Sequence, residues 1–172
     1  MKPKFINYYM KIAETTAELS YAKRLQVGAV IVRENQILAT GYNGMPAGWD
    51  NNCEDKIWDT GAGGWLSPEE FEHQYPYKEY HPEAEREVYY KLRTKPEVLH
   101  AESNALAKVA RSTESSEGAY LFCTHAPCLD CAKLIYQAGI NSVFYRDSYR
   151  TSEGVDFLKL SGVNVHKYSN GV

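Results

Sequence analysis

Ala119-Tyr-Leu-Phe-Cys-Thr124, then His125-Ala126-Pro127, then Cys128-Leu-Asp-Cys-Ala-Lys-Leu-Ile-Tyr-Gln-Ala138 and Gly139 form the stretch on which the fold turns. Ala119 to Thr124 is apolar and β-favouring and reads as a strand. From about Cys128 to Ala138 the chain reads as a helix. Gly139 stops it, because glycine tolerates the positive φ of a helix end. Ser142-Val-Phe-Tyr145 is the next strand, so helix and strand alternate here.

Working outward, a helix through Val155 to Leu160, stopped by Gly162, precedes a strand at Val163-Asn-Val-His166. Upstream, a helix runs from about Ala101 to Arg111, and Ser112 to Gly118 is a polar connector. Val27-Gly-Ala-Val-Ile-Val-Arg33 and Gln36-Ile-Leu-Ala-Thr-Gly-Tyr42 are β-rich runs around Glu34-Asn35, which makes them a hairpin. Ile6, Tyr9, Met10, Ala13 and Ala17 recur at helical spacing in a first helix from Phe5 to about Arg24, with Lys23 and Arg24 in its last turn. A hairpin followed by alternating helices and strands predicts an α/β fold with a mixed five-stranded sheet flanked by helices.

Residues 44–96 interrupt this order with Gly, Trp, Asn and acidic residues. The stretch is too long for an ordinary structureless connection. Ser67-Pro68-Glu69-Glu70 carries the N-cap, proline and acidic signals of a helix start. Pro82-Glu83 is expected to open another helix, with an i,i+4 ion pair at Glu87/Lys91 and an apolar stripe at Val88, Tyr89 and Leu92. The expectation is one domain over residues 1–172 with an inserted excursion at about 44–96 carrying short helices.

The chain has 172 residues, 44% of them hydrophobic, enough for one sizeable core. Nineteen Lys and Arg against 22 Asp and Glu leave a net charge of −3, which argues against general adhesion to nucleic acid or acidic membrane. No apolar run approaches the length needed to span a bilayer. Four cysteines without a secretory signal are expected to be reduced thiols in a cytoplasmic protein.

Cys128 and Cys131 stand three apart at a helix start, where both thiols share one face and the positive helix end favours thiolates. Two Cys and His100 make a three-ligand zinc site, the arrangement that leaves a fourth position for water. Two residues of helix turn side chains about 200° apart, so His100 is expected at the very start of its helix if Glu102 is to reach the same point. Glu102 then serves as general base and general acid without ligating the metal. His-x-Glu followed by Pro-Cys-x-x-Cys is the signature of zinc nucleobase deaminases. Alone, the Cys-x-x-Cys would also fit a redox pair or half of a closed zinc knot.

Beyond these motifs the chain resembles the deoxycytidylate (dCMP) deaminases of the cytidine deaminase superfamily. The likeness rests on Val27-Gly-Ala-Val-Ile-Val, Thr40-Gly-Tyr-Asn-Gly-Met-Pro-Ala-Gly48, His100-Ala-Glu-Ser-Asn-Ala-Leu, Pro127-Cys-Leu-Asp-Cys-Ala-Lys-Leu-Ile and Gln137-Ala-Gly-Ile140. It implies a three-layer fold and hydrolysis of dCMP to dUMP and ammonia, a supply of precursor for thymidylate synthesis. It also implies that Zn²⁺ is held by His100, Cys128 and Cys131, with Glu102 as proton shuttle.

For the substrate, the resemblance implies Asn43 at the sugar 3′-hydroxyl, Val27 and Ala101 around the site, and Arg24 and Tyr149 at the phosphate. Thr124 is implied at the base or phosphate, and a strand-terminal structural role stays open beside it. Arg111 is implied at a phosphate across a subunit contact, or else is a cation favoured at a helix C-terminus. A regulated branch of the family is hexameric, activated by dCTP and inhibited by dTTP with Mg²⁺. The segment with Asn43, Gly44, Met45, Trp49, Asp50 and Asn52 resembles part of its effector site.

Some relatives carry a second, structural zinc, but Cys53 has only His73 and His81 for company and lacks the further cysteines such a site needs. Two other readings remain: a polynucleotide deaminase acting on tRNA adenosine or cytidine, which calls for a basic face, and a non-enzymatic zinc module. The module reading leaves Glu102 without a purpose.

Overall fold

A computed structural model describes residues 1–59 and 68–169. In chain order the elements are α1 (Pro3–Ala17), β1 (Gly28–Arg33), β2 (Gln36–Tyr42), β3 (Glu54–Trp58), α2 (Pro68–Gln74), β4 (Tyr77–His81), β5 (Arg86–Thr94), α3 (Ala101–Ala110), β6 (Tyr120–His125), α4 (Leu129–Gln137), β7 (Ser142–Asp147), α5 (Glu153–Leu160) and β8 (Asn164–Lys167). Strands β2-β1-β6-β7-β8 form the expected mixed sheet. β1 runs antiparallel to both its neighbours, whereas β6, β7 and β8 are parallel.

Side-chain alternation along the central strands makes the layers. Val30, Val32, Phe122 and Phe144 point to one face, where Tyr9, Met10 and Ala13 of α1 cover them. Ala29, Ile31, Leu121, Cys123 and Val143 point to the other, against Ala101, Ala105, Cys131, Ile135 and Leu158 of α3, α4 and α5. Strands buried on both faces read as continuous apolar runs, as β1 and β6 do. Glu34 and Asn35 both have positive φ, 52° and 62°, the geometry of a two-residue turn whose twist suits a hairpin.

Two expectations need correction. The first helix ends at Ala17 instead of reaching Arg24. Ser20 accounts for the stop: its hydroxyl donates to the Asn43 carbonyl at 2.7 Å and accepts the Ala22 N–H at 3.2 Å, a local side-chain competitor for helical bonding. The helix expected from Pro82 is instead a turn followed by β5, paired antiparallel to β3 and β4 in a second sheet of order β3-β5-β4.

Val88, Tyr89 and Tyr90 are better strand than helix formers, and Glu85, at φ 49°, turns the chain back on itself. Glu87 pairs across the sheet with Lys78, not along a helix with Lys91. The helix expected near Ser67 is present as α2, although Ser67 itself lies outside the described residues.

Candidate active site

His100 is the N-cap of α3 and Cys128 the N-cap of α4, so the positive ends of two helices meet at the three candidate ligands. His100 Nδ1 lies 3.4 Å from Cys128 Sγ and 3.4 Å from Cys131 Sγ. All three ligand atoms fall within 4.8 Å of one another, and among the described residues this is the group of His, Cys and acidic side chains able to hold a metal ion. Hydrogen bonds from Cys131 and His100 lower the Cys128 pKa to about 4. The hydrogen bond with Cys128, and burial after it, raise that of Cys131. Two sulfurs and an imidazole on rigid elements, with one thiol already disposed to ionise, fit a zinc ion.

Two glycines allow this convergence. A Cβ on Gly41 of β2 would lie 2.2 Å from the Ala101 carbonyl oxygen, so only glycine lets α3 bring its first turn this close to the sheet. A Cβ on Gly154 of α5 would lie 2.1 Å from the Pro127 carbonyl oxygen, directly under the Cys128 turn. Glu102 is 4% exposed in the first turn of α3, and burial raises its pKa to about 7. A carboxyl poised there exchanges protons readily at neutral pH.

His100, Cys128 and Glu102 line a cavity of about 390 Å³, with Cys131 buried behind them. Arg24, Val27, Asn43, Ala101 and Tyr149 line it too. Asn43 is held rigidly: its Oδ1 accepts the Val27 N–H at 2.7 Å and its Nδ2 donates to the Leu25 carbonyl at 2.8 Å. Thr124 does not reach the cavity. Its hydroxyl is buried, accepts the Gly28 N–H at 3.2 Å and faces His125 Nδ1, in keeping with a strand-end structural role. Arg111 caps the far end of α3, away from the cavity of its own chain, and is exposed there.

The remaining candidates spread out along the loop after β2. Gly44 bridges Leu99, Met45 packs against Ala22, Cys53 and Val98, Trp49 is exposed, and Asp50 accepts the Asn52 N–H. Asn52 also lines a second groove of about 470 Å³ with Lys23 and Lys56. Cys53 is buried in its apolar cluster, while His81 packs on Trp58 and α2 carries His73, so no second metal group forms among the described residues.

Sequence reasoning missed His125, Ser148, Arg150, Glu54 and Thr94, all of which line the main cavity. Burial draws the His125 pKa down against the opposing pull of Asp147, which lies 3.7 Å from its ring. Arg150 was within reach of the reading, since it adjoins Tyr149. Glu54 and Thr94 were not, because they arrive from the excursion through a pairing between distant strands.

Among the described residues no helix is long and apolar enough to cross a membrane. Residues 3–146 match the family described as cytidine and deoxycytidylate deaminase zinc-binding region. The deoxycytidylate deaminase of Mus musculus is 34% identical over 170 residues, covering 94% of this chain and 78% of the mouse protein. That of Saccharomyces cerevisiae is 34% identical over 170 residues, covering 98% of this chain but 46% of the yeast protein, so the chain spans less than half of that relative. The crystal structure of the dCMP deaminase from cyanophage S-TIM5 in complex with dCMP and dUMP superposes with a TM-score of 0.74 at 40% identity, over 98% of this chain and 99% of the phage chain. A likeness that reaches from α1 into β7, and from end to end against the phage protein, shows that this chain belongs to the cytidine and deoxycytidylate deaminase family and has its three-layer fold.

Proposed function

We propose that the protein is a zinc-dependent hydrolase that converts dCMP to dUMP and ammonia, working as a single cytoplasmic deaminase domain that feeds thymidylate synthesis. The observation that carries this reading is one cavity lined by His100 and Cys128 of the metal-ligand group, by Glu102, and by Arg24, Tyr149 and Arg150. A zinc ion held by His100, Cys128 and Cys131 would supply Lewis-acid activation of water. Glu102 takes a proton from the attacking water, delivers it to the pyrimidine N3, and assists departure of ammonia as C4 becomes a carbonyl. Burial of Glu102 suits it to both directions of transfer. Asn43 orients the sugar, and the Arg24 and Arg150 guanidinium groups meet the phosphate dianion.

Regulation by dCTP as activator and dTTP with Mg²⁺ as inhibitor, in a homohexamer, belongs to the same proposal. Lys23 and Lys56 supply cations and Asn52 an amide in the neighbouring groove, which supports it, and the exposed Arg111 is free to face another subunit. The test is ammonia release by purified protein supplied with dCMP, CMP, cytidine or a tRNA. Turnover of dCMP is expected, and turnover of cytidine or tRNA with dCMP untouched would overturn the substrate assignment. Added dCTP should raise the rate and dTTP with Mg²⁺ lower it; rates indifferent to both would remove the regulatory part. Metal analysis should find one zinc per chain.

A further inference from the structure

We propose that the inserted sheet orients Arg24 for the substrate phosphate through Glu54 and Thr94, two positioning residues that face each other across the β3–β5 ladder. This rests on the monophosphate reading above. Arg24 lies between α1 and β1 in a segment without regular structure, so neither helix nor strand sets its direction. The excursion supplies what is missing. Glu54 and Thr94 are direct partners in the antiparallel register, which places their side chains side by side.

Glu54, 5% exposed, accepts the backbone N–H groups of Lys23 at 2.9 Å and Arg24 at 3.2 Å on one carboxylate oxygen. Thr94 accepts the Arg24 Nη1 N–H at 3.0 Å. One cross-strand pair therefore holds both the main chain and the guanidinium of Arg24.

The division of labour is chemically specific. A carboxylate against the guanidinium would orient it but also neutralise it, weakening its pull on a phosphate. Here the carboxylate is taken up by main-chain amides and a neutral hydroxyl holds the guanidinium. Among the described residues Arg24 has no ion pair. The exposed Arg24 side chain thus keeps N–H donors for a phosphate, and Arg24, Glu54 and Thr94 all line the cavity that holds His100 and Glu102.

Steady-state kinetics with dCMP on the full chain would test this, using Thr94→Val, Thr94→Ser, Glu54→Gln, Glu54→Ala, Arg24→Ala and the double variant Arg24→Ala/Thr94→Val. Arg24→Ala should raise KM about 100-fold, the scale of losing a charge-assisted phosphate contact. Thr94→Val should raise KM about fivefold with kcat nearly constant, as loss of one orienting hydrogen bond would.

Thr94→Ser should restore the wild-type KM, and Thr94→Val should add nothing once Arg24 is gone. Glu54→Gln keeps an acceptor for the amides and should stay within about twofold of wild type, whereas Glu54→Ala should raise KM as Thr94→Val does. Thr94 is exposed, so its variants report even if Glu54→Ala fails to fold.

A wild-type KM in Thr94→Val, or an equal Thr94→Val effect with and without Arg24, would overturn the proposal while leaving the deaminase reading intact. No dCMP turnover by wild type, or an Arg24→Ala variant with unchanged KM, would overturn the monophosphate reading and the proposal with it.

Discussion

The two sheets of this protein are built by opposite means. In the five-stranded sheet, β1 and β6 are buried on both faces, and residues such as Ile31, Leu121 and Phe122 are wholly inaccessible. The inserted β3-β5-β4 sheet buries little beyond Glu54 and Val88. Ring contacts such as Trp58 with Tyr90 and Tyr77 with Tyr90 hold it, together with Lys56 over the Trp58 and Tyr90 rings, while the pairs Lys56–Glu79 and Lys78–Glu87 lie on its solvated surface. The metal-ligand group and Glu102 stand on elements of the first kind, whereas Glu54 and Thr94 bring the second kind to the cavity. Bond-making chemistry demands placement within fractions of an ångström and takes the rigid support; recognition of a charged group tolerates the softer one.

The largest effects should come from the rigid half. Glu102→Gln should lower kcat about 10³-fold while the protein keeps its fold and its metal, measured by turnover and metal content together. Phe122→Ala, at a position with no exposure and ring contacts to Tyr9 and Phe144, should cost about 3–5 kcal/mol in denaturant unfolding. A loss no greater than that of an exposed aromatic would break the contrast between the sheets.

Gly154→Ala should weaken metal binding about tenfold or more by pushing on the Pro127–Cys128 turn, read from cobalt titration of metal-free protein through its thiolate absorption. Unchanged cobalt affinity would mean that α5 does not support the ligand turn. Lys78→Ala should leave the unfolding midpoint where it is, since the pair with Glu87 is solvated on both sides. A clear drop in that midpoint would show that the inserted sheet depends on its ion pairs.

Legibility in the sequence followed the range of the interactions. The hairpin was readable because its two-residue turn and flanking β runs are local, and the ligand group because Cys128 and Cys131 sit one helical turn apart. The α3 start at His100 followed from the need to bring His100 and Glu102 to one point, and the structure has it as N-cap. The end of α1 was lost because the Ser20 bond that stops it goes to Asn43, beyond any local window.

The Pro82 helix was misread because spacing alone gave Glu87/Lys91 the look of a helical pair, while the β preference of Val88-Tyr89-Tyr90 and the partners on β3 and β4 decided the matter. Arg24 was identified by resemblance, but what orients it depends on a register between Glu54 and Thr94 that no periodicity discloses.

The order β2-β1-β6 has a further consequence, for the sequence of events during folding. β1 finds β2 across two residues, but it must wait for β6 until the whole excursion and α3 have been threaded past. Closing so long a loop carries an entropic penalty that grows with the logarithm of its length. β4 and β5 turn back on each other locally and β3 pairs with β5, so forming this sheet first would draw in the intervening chain before the central strands meet. Pulse-labelled hydrogen exchange during refolding should therefore protect the β1–β2 amides first and the β1–β6 amides last. Simultaneous protection of both ladders would mean that the central sheet forms in a single step. If the β1–β6 amides are protected last, the insertion, the least buried part of the finished sheet system, acts during folding as the tuck that shortens the reach from β1 to β6.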